Sequence, residues 1–167
     1  LNESRIEATR ISALLHDVGK IAVPSELLSK PGKLSELEFE LIRQHPVVSY
    51  DILRSIQFPY PIAQYALEHH EKINGSGYPA GLRGSAISLE SRIICVADVV
   101  DAIASHRPYR PSRGLDLALA EIEENTGELY DTDIAEACLE LFRKENFRFS
   151  TISPDLISID NSAGSVF

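Results

Sequence analysis

Four histidines and two aspartates stand out as groups able to meet at one place: His16-Asp17, His45, His69-His70 and Asp98. All six fall on stretches whose apolar spacing turns them toward the interior. A lone histidine on a helix is more often a hydrogen-bonded core or surface residue than a ligand. The grouping weighs against that bland account. An aspartate in a core costs several kcal/mol unless it is paired or bound to metal. A shared cation removes the cost, and imidazole together with carboxylate suits first-row transition metals. Four histidines and two aspartates also exceed the ligand count of one tetrahedral site. The adjacent pairs His16-Asp17 and His69-His70 suggest a carboxylate bridging neighbouring ions. Two ions about 3.5–4 Å apart polarise a bridging water and clamp an in-line phosphoryl displacement. The residues alone point to a metal-dependent hydrolase acting on a phosphate ester.

Helices must position these groups, and helical periodicity dominates the chain. Ile11, Leu14, Leu15 and Val18 form an apolar face that runs up to Gly19. A loop follows from Pro24 to Gly32. Ser35 and Glu38 form a capping box ahead of a long helix with the stripe Leu37, Leu41, His45, Val48, Ile52 and Ile56. Pro46, inside that run, is expected to kink or interrupt it. Pro61 suits the first turn of a helix carrying Ile62, Tyr65, Ala66, His69 and His70. From Asn74 to Gly84, four glycines and a proline mark a loop with tight backbone demands, short enough for a hairpin. A buried helix comes next, with Ile93, Ile94, Ala97, Val100 and Ala104 on or near its core face. Arg107 to Arg113 is basic and broken by proline. Two further helices run over Leu115 to Asn125, ended by Gly127, and behind an Asp131 cap with Ile134, Cys138, Leu141 and Phe142. The expected fold is all-α, a helical bundle over residues 1–146 followed by an extended or disordered tail at 147–167.

The chain has 167 residues, one domain's worth, with 44% hydrophobic residues to build a core. Its 25 acidic and 16 basic residues leave a formal charge of −9. That balance excludes non-specific binding to a nucleic-acid polymer and argues against membrane contact, since neither polyanion is attracted to it. The two cysteines, Cys95 and Cys138, make no disulfide framework and suit buried thiols in a reducing compartment, the cytoplasm. No apolar run approaches the roughly 20 residues that span a bilayer. There is no methionine, even at position 1, so the chain is expected to be part of a longer product.

Several blocks together carry a family resemblance: His16-Asp17-Val18-Gly19-Lys20, His45-Pro46, His69-His70-Glu71, Asn74-Gly75-Ser76-Gly77-Tyr78-Pro79, Asp98-Val99-Val100-Asp101-Ala102 and Arg107-Pro108-Tyr109-Arg110. In order and spacing, from about Arg10 to Phe142, they resemble the HD-GYP family, bacterial phosphodiesterases of the HD superfamily that hydrolyse cyclic di-GMP. The resemblance implies a bundle of the HD-domain type and metal ligation by His16, Asp17, His45, His69, His70 and Asp98. It implies two or three divalent transition-metal ions, iron or manganese foremost. Lys20 would lie beside the metals, where an ammonium stabilises the phosphate or protonates the leaving oxygen, and Asp17 would share in the catalysis. Gly77, Tyr78 and Pro79 would line the substrate pocket, while Arg107 and Arg110 would hold substrate phosphates. The product would be pGpG or GMP.

This sequence departs from the family pattern at three places. Asn74 stands where aspartate is usual and Ile73 where an aromatic is usual; asparagine keeps the turn geometry but loses a charge. Ser49 replaces the usual glycine after the His-Pro pair, with an effect expected on helix packing only. Family members also carry an upstream helix that supplies a further histidine to the metals, and this chain begins after it. Such domains usually follow a sensor or receiver domain, the partner expected here. The alternative is a catalytically impaired HD-GYP module that works by ligand binding or protein interaction, disfavoured by the intact ligand set.

Overall fold

The computed structural model describes residues 1–105, 114–145 and 147. Among them are eight α-helices and no strands. Helix α1, Glu3–Leu15, opens on Asn2, whose side chain accepts the Arg5 N–H. A tight 3-10 turn, Val18–Ala22, follows, then the short α2, Ser25–Leu28. Helix α3, Glu36–Ile42, carries the full capping box of Ser35 and Glu38. Helices α4, His45–Leu53, and α5, Ile62–Glu68, pack on each other and on the turn and α1. Helix α6, Leu89–Ala104, is the longest, and α7, Leu115–Glu124, and α8, Thr132–Arg143, pack against it. No helix among the described residues is long and apolar enough to cross a membrane.

Pro46 does not kink one long helix. It occupies the first turn of a new one, where its missing N–H costs nothing, so the predicted helix is two. The stripe read along it is largely outside: Leu37 is 80% exposed, and Leu41, Ile52 and Ile56 are exposed too. Periodicity marks one face of a helix but not whether anything covers it. Leu14 and Ala97 likewise point to solvent. The expected hairpin reduces to one antiparallel bridge between Asn74 and Arg83. The caps of α3 and α8, and the stop at Gly127 (φ +78°), stand as read from the sequence. The predicted tail, apart from Phe147, lies outside the described residues.

Two apolar clusters flank the polar residues. One gathers Ala8, Leu53, Ile62 and Ala66 from α1, α4 and α5. The other gathers Cys95, Val96, Val100, Ala118, Ile122, Tyr130 and Ala135 around α6. Arg5 on α1 donates to the buried Glu90 on α6 at 2.6 Å, tying the two halves together. Cys95 is buried and Cys138 half-buried, both as free thiols. The histidines sit where the ends of α1, α4 and α5 meet the middle of α6.

Candidate metal centre

Helix ends place the histidines. His16 follows α1, His45 begins α4, His69 follows α5 and His70 comes next. The last carbonyls of a helix lack intrahelical partners. Three of them are taken by these rings. His16 Nδ1 bonds the Ala13 carbonyl, His45 Nδ1 that of Ile42 and His69 Nδ1 that of Ala66, each at 2.6 Å. A carbonyl only accepts, so each Nδ1 carries a proton, which in a neutral ring leaves the lone pair on Nε2. Helix termination thus fixes both tautomer and ring orientation, the arrangement metal-binding histidines require.

Those lone pairs face one another. His45 Nε2 lies 3.4 Å from His69 Nε2, and with both Nδ1 atoms protonated there is no hydrogen to share between them. Asp17 Oδ1 is 3.2 Å from His45 Nε2 and 3.9 Å from His69 Nε2. His16 Nε2 is 3.4 Å from Asp17 Oδ2 and 3.8 Å from Asp98 Oδ1 on α6. Both His16 Nε2 and Asp17 Oδ1 are enclosed with no hydrogen-bond partner. Two ligands about 2.1 Å from one ion at a tetrahedral angle lie about 3.4 Å apart, which is the spacing seen here. Among the described residues two groups meet the geometric demand, His45, His69 and His70, and His16, Asp17 and His69, each with its atoms within 4.8 Å of one another. They share His69. The donor set fits divalent transition metals.

The charges agree with that use. Burial pushes His69 down to about 4 and His70 down to about 2, so both rings are neutral at pH 7. Burial would raise the Asp17 carboxyl, but His16, His45 and Lys20 outweigh it and hold it well below the usual range. Asp98 feels the same contest and falls to about 2 beside His16 and His70. Burial opposes a charge on His16, yet Asp17 and Asp98 overcome it and take the ring up to about 10. In the metal-free protein a proton on His16 balances the carboxylates that a cation would otherwise neutralise.

Lys20 lies beside the cluster as expected, its Nζ paired to Asp17 Oδ2 across one turn. Gly19 packs against α4. Its N–H donates to Ser49 Oγ at 2.8 Å, and the same hydroxyl donates to the His16 carbonyl at 2.7 Å. Ser49 therefore does more than pack: it clamps the His16-Asp17 turn to the helix that begins with His45.

The Gly-Tyr-Pro loop is held from within. Glu71, buried next to His70, accepts the Ala80 N–H at 2.7 Å and the Leu82 N–H at 3.0 Å. A Cβ at Gly77 would run into the backbone of His70, Glu71 and Lys72, so this glycine is required by close approach and not by a turn. Tyr78 lays its ring on His70, 4.8 Å between centroids and 30° apart, and Pro79 is exposed. Asn74 Oδ1 accepts the Ser76 N–H at 2.9 Å, a bond aspartate would also make, so the turn survives the departure. Arg107 and Arg110 lie outside the described residues.

Sequence reading gave no role to Glu71 or Arg43 and gave Ser49 only an effect on helix packing. A glutamate adjoining two histidines was the one visible signal; the other two depend on α3 and α4 meeting segments distant in sequence.

Residues 1–134 match the HD domain family. The chain belongs to that family. Its relatives agree with the HD-GYP form. The HD domain here is 45% identical over 141 residues to the cyclic di-GMP phosphodiesterase response regulator RpfG of Xanthomonas campestris pv. campestris, covering 83% of this chain and 37% of that protein. It is 41% identical over 143 residues to a cyclic di-GMP phosphodiesterase of Thermotoga maritima, covering 84% and 39%. A 3'3'-cGAMP-specific phosphodiesterase 3 of Vibrio cholerae is 46% identical over 116 residues, covering 70% and 25%. The chain thus spans less than two fifths of the length of these relatives. A crystal structure of a cyclic GMP-AMP specific phosphodiesterase from V. cholerae superposes with a TM-score of 0.64 over 87% of this chain and 40% of that one; at 20% identity it shows the fold.

Proposed function

We propose that this HD domain is the hydrolase unit of a phosphodiesterase that opens cyclic di-GMP to pGpG, GMP or both. The observation that carries the reading is the inward-facing set of Nε2 atoms around Asp17, their Nδ1 partners spent on helix-end carbonyls, with His16 Nε2 and Asp17 Oδ1 enclosed and unpartnered. His16, Asp17, His45, His69, His70 and Asp98 would hold two or three divalent ions, iron or manganese. Such ions supply Lewis acidity and a nucleophile available at neutral pH.

The chain's own groups do the rest. Asp17, kept ionised, balances cationic charge, and His69 and His70 enter as neutral donors. The Lys20 ammonium, anchored on Asp17, lies where it can hydrogen-bond a phosphate oxygen and hand a proton to the leaving 3'-oxygen. Tyr78 walls the pocket over His70. Arg107 and Arg110 are assigned to the substrate phosphates, a target that a chain of charge −9 needs for a dianionic ligand. The domain is taken to run over 1–146, to act in the cytoplasm and to answer to a sensor or receiver domain elsewhere in the protein; the similarity to a response regulator supports this.

Metal analysis of anaerobically purified full-length protein, with turnover of cyclic di-GMP beside 3'3'-cGAMP, tests the reading. At least two ions per chain and hydrolysis of cyclic di-GMP are expected. Metal-loaded protein that cleaves neither dinucleotide would favour the binding module instead, and faster cleavage of 3'3'-cGAMP would reassign the substrate.

A further inference from the structure

A stack of side chains leads outward from the cluster to a third arginine. Tyr78 lies on His70, and the Arg43 guanidinium lies 4.7 Å from the Tyr78 ring centroid. Phe39, on the same helix as the run into Arg43, contacts the guanidinium at 5.2 Å. Two aromatic contacts hold the group in place, as suits a planar delocalised cation. Its hydrogen bonding is poor by comparison. Nη1 donates to Glu40 Oε1 at 2.8 Å, but Glu40 is more than half exposed and such a pair one turn apart contributes little. Nε is enclosed and has no acceptor. A fixed cation with an enclosed, unused donor is costly as structure. The third of the side chain that stays exposed is what a ligand bearing neighbouring acceptors would reach.

The position says which part of a ligand arrives there. Arg43 closes α3, whose Ile42 carbonyl orients His45, so the arginine is registered to the site by the same helix end. The Tyr78 ring contacts both the Arg43 guanidinium and His70, so the guanidinium reaches the histidines through that ring and not directly. Resting on the phosphodiesterase reading above, we propose that Arg43 is a substrate-binding residue that receives the non-reacting half of the cyclic dinucleotide. The shared chemistry is two adjacent acceptors, on the second phosphate or on the O6/N7 edge of guanine, both matched by a guanidinium fork.

The test uses full-length, metal-loaded protein and hydrolysis-resistant phosphorothioate analogues of cyclic di-GMP and cyclic di-AMP, with affinity read by calorimetry. Arg43→Ala is expected to weaken the cyclic di-GMP analogue about tenfold or more, and Arg43→Lys to recover only part. KM for bis(p-nitrophenyl) phosphate, a diester with no second nucleotide, should rise far less, and the metal content should match the parent's. Equal weakening of both analogues assigns the second phosphate; weakening confined to cyclic di-GMP assigns guanine. Unchanged affinity for both analogues would overturn the proposal, as would a loss of metal in step with affinity. A parent that binds metal but neither analogue would sink the substrate reading itself, before any variant is made.

Discussion

Gly19→Ala puts one methyl group between the His16-Asp17 turn and α4. Gly19 is buried, and a Cβ there would strike the His45 carbonyl oxygen and come within 2.5 Å of Ser49 N and 2.8 Å of Ser49 Oγ. Two of the three obstacles are backbone, so no rotamer change relieves the contact. The helix must move. Overpacking of this kind costs about 1–3 kcal/mol, and the strained Gly19 N–H to Ser49 Oγ bond adds about 1 kcal/mol. For a chain of this size each kcal/mol lowers Tm by about 2–4 °C, so a fall of roughly 5–15 °C follows. Displacing α4 also carries His45 away from Asp17, 3.2 Å from it in the native arrangement, which should weaken metal binding tenfold or more. Scanning calorimetry of metal-free protein and a manganese titration read the two effects separately. Ser49→Ala serves as the comparison. It loses the clamp's two hydrogen bonds without adding bulk, so it should destabilise less than Gly19→Ala. Gly19→Ala with parental Tm and parental metal affinity would refute the close-packed turn as the element that sets the site.

Three further outcomes are expected. Asp17→Ala should lower cyclic di-GMP turnover by more than about a hundredfold while circular dichroism shows a retained fold; near-normal turnover would exclude a bridging role. Glu71→Gln turns one buried acceptor into a donor facing the Ala80 or Leu82 N–H, so KM should rise several-fold with metal content unchanged, and an unaltered KM would show that the loop holds its shape without that carboxylate. Metal-free protein should lose stability as pH falls from about 6.5 to about 4. An unfolded histidine takes up its proton near 6.5, whereas burial holds His69 near 4 and His70 near 2, so protons favour the unfolded chain through that window. His16, raised to about 10, contributes fully below 6.5 and loses its share only toward pH 10, leaving the acid window to the other two. Melting temperatures that stay flat between pH 6.5 and 4 would contradict this.

The donor residues were legible because their chemistry and their apolar neighbours are written locally. His45 and His69 are buried as their apolar neighbours imply, and the caps at Ser35 and Asp131 follow from short-range hydrogen bonding that any sequence window contains. Exposure was less legible. Leu37, Leu41, Ile52 and Ile56 repeat at helical spacing and still face out, because burial depends on which element arrives opposite. The roles of Gly19, Ser49 and Arg43 were hidden for the same reason. Each comes from segments some 30 residues apart meeting at van der Waals distance, as in the 2.8 Å bond from Gly19 to Ser49.

The tautomers favour a cation site over an ordinary buried polar network. In a satisfied network donors and acceptors alternate, so each ring nitrogen without a proton meets an N–H or O–H. Here three Nδ1–H groups spend their donors on the carbonyls of Ala13, Ile42 and Ala66. What remains at the centre is acceptor against acceptor: His45 Nε2 against His69 Nε2, and Asp17 Oδ1 against both. Lys20, paired to the other Asp17 oxygen, leaves Oδ1 unpartnered. While the His45 and His69 rings are neutral, no placement of hydrogens satisfies both Nε2 atoms without giving up a helix-end carbonyl. A divalent ion would supply the missing positive charge at several of them together, and would meet donors already turned toward it. That is why Ala substitutions among these residues are expected to act on metal content before they act on the fold, and why the two apolar clusters on either side, not the polar seam, hold the helices together.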